Sequence, residues 1–160
     1  MATYQTDYGV LPAKGLKGQI ANEEKHNQIS RTVQGAAGVK FGAPVQRGTS
    51  DHTVAPFAAG GKFMGLAVLT YAVPPVAVGS TLVDGYPQDF TGAFMTDGQM
   101  FVEAGGAVAP GDAVYYNPTT DQYVNATGTG ILGPIPTAFF DTTATAAGQM
   151  VEVSLKHRSA

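Results

Sequence analysis

Cysteine is absent from the 160 residues. That excludes disulfides, thiolate metal sites and a cysteine nucleophile, and leaves the fold to packing and hydrogen bonds. Charge is scarce too. Asp, Glu, Lys and Arg make up 13% of the chain, about half the usual share for a soluble domain. A helical bundle needs those residues on its solvated faces. Their scarcity argues against a bundle and for a surface partly covered by other subunits. There is no basic excess: the net charge is −3 and the pI near 5.4, so nucleic acid finds no electrostatic footprint. No apolar run reaches about 18 residues, the length a membrane-spanning helix requires. Met1 to Tyr8 has neither the basic start nor the apolar core of a secretion signal, so synthesis in a cytoplasm is the expectation.

Turn chemistry is abundant. The chain has 21 glycines and 10 prolines, and they concentrate between short runs of β-branched and aromatic residues. The densest stretch is Gly105 to Val124. Ala109-Pro110-Gly111-Asp112 places Pro where φ near −65° is wanted and Gly where φ must be positive, a type II turn. Ala113 to Tyr116 follows as a strand, Asn117 to Asp121 turns again, and Gln122-Tyr123-Val124 returns. Such a rhythm belongs to an all-β fold, a single sandwich or barrel of one domain.

Two parts are expected, an extended N-terminal arm over residues 1–28 and a β domain over 29–160. The arm's only large apolar residues are Tyr4, Tyr8, Val10, Leu11, Leu16 and Ile20, and glycine and proline interrupt it too often for a helix. These few side chains cannot offset the entropy of ordering 28 residues. The arm therefore needs hydrogen bonds from the body or from a neighbour, and Tyr4, Tyr8, Leu11, Leu16 and Ile20 are its candidate interface residues. In the body, Ile29 to Val33, Val39 to Phe41, Val45 to Arg47, Lys62 to Thr70 and Gln149 to Leu155 read as strands. Leu66 to Leu69 is apolar on both faces, as a central strand should be. Asp84 to Pro87 reads as a turn. The Asp97-Gly98 pair between two apolar runs predicts a hairpin. Ile131 to Pro136 reads as an edge segment interrupted by proline.

Letters that carry chemistry elsewhere find no support here. Gly128, Gly130 and Gly133 match a dinucleotide-binding spacing, but Pro134 and Pro136 prevent the helix that the phosphate reading requires. Asp51 and His52 lie in a polar loop without a nucleophile elbow. His26, His52 and His157 are too scattered for a metal pair, and the carboxylates lack calcium-loop spacing. Neither a catalytic residue nor a cofactor is expected. Tyr115-Tyr116 and Phe139-Phe140 should each give one side chain to the core and one to the surface.

Three features taken together carry a resemblance. Pro12-Ala13-Lys14-Gly15 and Gly18 to Asn22 precede Ile29-Ser30-Arg31-Thr32. Val39 to Gly48 follows. Gly106 to Asn117 comes next, then Phe139-Phe140-Asp141 and a final Val151-Glu152-Val153. This order resembles the structural cement, or decoration, proteins of tailed bacteriophage capsids. The resemblance implies a jelly-roll-like subunit on the outside of the virion head, made in the host cytoplasm. It also implies a small homo-oligomer, a trimer favoured and a dimer possible, with the major capsid protein as partner. Another class stays open, a carbohydrate-binding or adsorption β module of a phage tail or spike. A small hydrolase barrel would need converging ionisable groups near Asp112, Tyr115 or Tyr116.

Overall fold

The structure, a computed structural model, describes residues 14–73, 76–78 and 81–155. Those residues form strands, turns and loops, with no helix among them. In chain order the strands are β1 (Asn27–Val33), β2 (Val39–Lys40), β3 (Pro44–Arg47), β4 (Thr53–Pro56), β5 (Phe63–Ala67), β6 (Val76–Val78) and β7 (Thr81–Val83). They continue as β8 (Gly85–Tyr86), β9 (Thr91–Glu103), β10 (Tyr115–Asn117), β11 (Gln122–Val124), β12 (Ala138–Phe140) and β13 (Met150–Leu155). The all-β expectation holds.

The main sheet runs β1-β4-β3-β5-β9-β13-β12, and β1 also pairs with β9. The first five strands therefore close on themselves, β1 to β4 to β3 to β5 to β9 and back to β1. Closure removes the free edges that an open sheet would expose. The β1–β4 contact is parallel, while the other pairs of the ring are antiparallel. Val33, Val45, Val54, Leu66, Phe94 and Met95, all on strands of this ring, are fully shielded from water.

The pairing of β9 corrects the predicted hairpin. Asp97 and Gly98 do not reverse the chain; they lie inside one strand of 13 residues. Residues before the pair bond to β1 and β5, and residues from Gly98 onward bond to β13. The register slips opposite this point, between Asn27 and Gln28, and Gly98 holds φ at 128°. The Asp-Gly pair is thus a bend that carries β9 from the ring into the β9-β13-β12 extension. A bulge at a barrel corner uses glycine in this way. The hairpin rule weighs only local sequence, whereas here three partner strands hold β9 extended on both sides of the bend.

Two smaller expectations also change. Gly85 and Tyr86 form β8 against β2 rather than a turn. Phe139 and Phe140 are both buried, because Phe139 is covered from its far side where Ala113 bridges to it. Tyr115 and Tyr116 do alternate, with Tyr116 buried and Tyr115 half-buried. The β10–β11 hairpin turns through Pro118 to Asp121, and Asp121 takes φ of 58° there. The type II turn stands as read: the Asp112 N–H donates to the Ala109 carbonyl at 3.1 Å, and Gly111 has φ of 91°.

Candidate functional site

Extended chain that leaves a β body must be fastened where it leaves. Here the fastening begins with backbone groups. The Gly18 N–H donates to the Phe101 carbonyl at 2.8 Å, and the Phe101 N–H donates to Gln19 at 2.9 Å. The Ala21 N–H reaches Gln99 at 2.9 Å, and the Leu69 N–H reaches the Gly18 carbonyl at 2.8 Å. Ile20 bridges to Met100 and packs, half-buried, against the core. Residues 18–21 therefore run antiparallel along Gln99 to Phe101 of β9.

Close approach makes glycine necessary at the crossing. Gly18 has φ of 82° and Gly42 has φ of 75°. A Cβ on Gly18 would stand 2.7 Å from the Gly42 nitrogen, and one on Gly42 would stand 3.0 Å from the Gly18 nitrogen. Each position combines left-handed backbone with backbone contact, so no larger residue fits either one.

Side chains lock the same place. Asp121, at the end of the β10–β11 turn, accepts the Tyr116 hydroxyl proton at 2.7 Å and pairs with the Lys17 ammonium at 2.6 Å. Lys17 also donates to the Asp121 carbonyl. Lys40 is an outer partner at 3.8 Å and is half-exposed. The Tyr123 hydroxyl donates to the Gly42 carbonyl. Burial, followed by the Asp121 charge, drives the Tyr116 phenol far above its ordinary range. Burial does the same to Tyr123, with the neighbouring Tyr116 and Asp121 adding to it. Both phenols stay protonated and act as hydrogen-bond donors. A second lock lies further along: Asn22 donates to the buried Gln99, which donates to Asp141.

Of the candidate interface residues, Ile20 lies against the body and Leu16 is 55% exposed. Tyr4, Tyr8 and Leu11 lie outside the described residues. What the described residues bring together here is Lys17 and Asp121. Sequence reasoning missed that pair because 104 residues separate its members. The only local signal was an Asp closing an Asn-Pro turn. It also missed Tyr71, which is 84% exposed at the start of the β6–β7 ribbon. That ribbon pairs with no other described strand, and residues 63–83 carry no charge.

The groups considered for chemistry stay apart. Asp51 and His52 are exposed. Asp112 is engaged in its own turn, where the Asn125 amide and then the Ala109 N–H hold its carboxyl below the usual range. Among the described residues, no three His, Asp or Glu side chains gather as metal ligands would.

Two grooves flank Phe57. One, of about 200 Å³, is lined by Val39, Pro44, Pro56, Tyr116 and Pro118, with Lys40 contributing as well. The other, of about 260 Å³, lies between residues 57–61 and Ile131, Leu132, Pro134 and Pro136. The first has a mainly apolar wall, whereas the second is about as polar as it is apolar.

Comparison with known proteins gives two positive findings. The family described as structural cement protein matches residues 4–156. A solved chain from the capsid of Myoviridae phage XM1 is similar over 98% of this chain and 99% of that one, at 15% identity and a TM-score of 0.68. At that identity the likeness establishes the fold. No curated protein matches the sequence.

Proposed function

The chain belongs to the structural cement protein family, and we propose that it binds the outside of a phage head and fastens neighbouring major capsid subunits together. Membership over residues 4–156 is the observation that carries this reading. The family's role is structural rather than enzymatic, and the chain is a virion component that engages the capsid. Its synthesis in the host cytoplasm and its outer position belong to the proposal.

The physical picture supports a fastener. A lightly charged body, a Tyr71 side chain in water and a ribbon paired only with itself all offer contact area. Tyrosine is enriched among residues that dominate binding energy, and a lone two-stranded ribbon is at best marginally stable in water. An ordered oligomer, a homotrimer in preference to a dimer, multiplies such contacts, because each further contact forms at high effective concentration. Tyr4, Tyr8 and Leu11 belong to the proposal as contact residues.

The test uses heads lacking the protein. Full-length chain added back should decorate the head and raise the temperature at which the particles open. Labelling of tails or spikes, together with glycan binding, would place the chain with adsorption modules and overturn the cement reading.

A further inference from the structure

Apolar side chains scattered singly over a surface need no explanation, but a group of them marks an interaction site. Among the described residues, the large apolar side chains left exposed are Leu16, Tyr71 and Phe90. They come from three separate parts of the chain, and the fold gathers them round one short piece of backbone. The Leu69 N–H donates to the Gly18 carbonyl at 2.8 Å, and Leu16 and Tyr71 each lie two residues from that bond. Phe90 stacks on Tyr86 with ring centroids 5.6 Å apart, and the Tyr86 hydroxyl donates to the Val68 carbonyl at 2.7 Å. Val68 and Leu69 are adjacent, so all three residues are tied to the same exit from β5. From Tyr71 the chain runs on into the β6–β7 ribbon, which pairs with no other described strand. A strand edge without charged side chains offers its backbone groups to another strand.

Charge decides what kind of partner fits this patch. Residues 63–83 are the longest stretch of the chain without Asp, Glu, Lys or Arg. Lys17, next to Leu16, is engaged by Asp121 at 2.6 Å. The whole chain carries a net charge of −3, so two copies repel one another, and like charges placed face to face are costly. Two copies meet at least cost where neither presents charge, and that is here. The cores of homo-oligomer interfaces have this makeup, apolar and depleted of charged residues, with Tyr and Phe enriched. Exposed Asp89, beside Phe90 in the chain, supplies the polar rim that such interfaces carry. Supply points the same way. On the cement reading the chain is free before it meets a head, and the partner present in equal number from the start is another copy.

Resting on the cement reading above, we propose that this patch is the contact between copies of the chain, with Leu16, Tyr71 and Phe90 of one subunit meeting the same residues of the next around the oligomer's symmetry axis. The test reads self-association of the full-length protein without heads, by sedimentation over a range of concentrations. The wild-type chain should associate. Tyr71→Glu and Tyr71→Lys should each raise the dissociation constant by about thirtyfold, because like charges then face one another. Mixed, the two variants should recover most of the association that each lost, since a Glu now meets a Lys. That recovery separates a patch facing itself from a variant that misfolds. Leu16→Ser should weaken association without adding charge. A wild-type chain that stays monomeric at every concentration would overturn the proposal. So would an oligomer that survives both Tyr71 variants, because the copies then meet elsewhere. Variants that stay apart when mixed would overturn it too, because the patch then faces something other than itself. Decoration of heads by the wild-type chain is scored separately. Heads decorated by a monomer would leave the cement reading standing without this contact, and a self-associating chain that ignores heads would do the reverse.

Discussion

At Gly18 the backbone does what no other residue can. Placing a Cβ on left-handed backbone costs about 1–2 kcal/mol, and here that atom would also strike the Gly42 nitrogen. Gly60 offers the control: its φ is 74°, yet nothing lies within 4 Å of an added Cβ. Gly60→Ala should therefore show the conformational cost alone, and Gly18→Ala distinctly more, read as a larger fall in the thermal midpoint. The buried phenols give a second residue-scale prediction. Tyr116 and Tyr123 have folded pKa values raised above their ordinary 10.0. Their contribution is fully present below pH 10 and is lost as pH rises beyond it. Phenolate absorbance should show these two rings titrating only together with alkaline unfolding. Reversible ionisation of both rings near pH 10 in folded protein would contradict the buried donors.

Among the elements, β9 has the largest role. It closes the ring through β1 and β5, holds β13 beyond the bend, and carries residues 18–21 on its far half. Gln99 is the hinge of that arrangement, buried at 3% exposure between Asn22 and Asp141. Gln99→Leu keeps the bulk but removes the amide, at a cost of about 1–3 kcal/mol. Hydrogen exchange at the Ala21 and Gly18 amides should accelerate well before that at Val151 or Val102. Uniform acceleration everywhere would mean that the amide supports the whole body and not the segment. The β6–β7 ribbon is the opposite kind of element, pairing with no other described strand. Tyr71→Ser should leave the free protein's stability within about 0.5 kcal/mol and weaken head binding.

For the molecule as a whole, we propose that the division between arm and body falls within residues 1–28, and two deletions test it. Deleting 1–28 takes away Gly18, Ile20, Ala21 and the Lys17–Asp121 pair; deleting 1–13 keeps all of these. The shorter deletion should fold with an almost unchanged thermal midpoint and lose head binding. The longer one should lose several degrees or fail to fold. Equal stability of the two would show that residues 14–28 add nothing to the body.

Composition and punctuation determined the class of this protein. Sparse charge, no cysteine and glycine-proline turns permit little besides a β fold, and the Pro110-Gly111 and Asn117–Asp121 turns are local enough to be read directly. The order of family features was legible as well, since it lies along the chain. Which strands meet, how the ring closes, and what holds the N-terminal segment were decided only in three dimensions. Asp97-Gly98 has the letters of a turn, yet hydrogen bonds from three distant strands hold it extended. Lys17 and Asp121 carry no mark of each other until the fold brings them together. Local sequence sets backbone preference, but pairing energy comes from partners far away in the chain, and at β9 the partners prevailed.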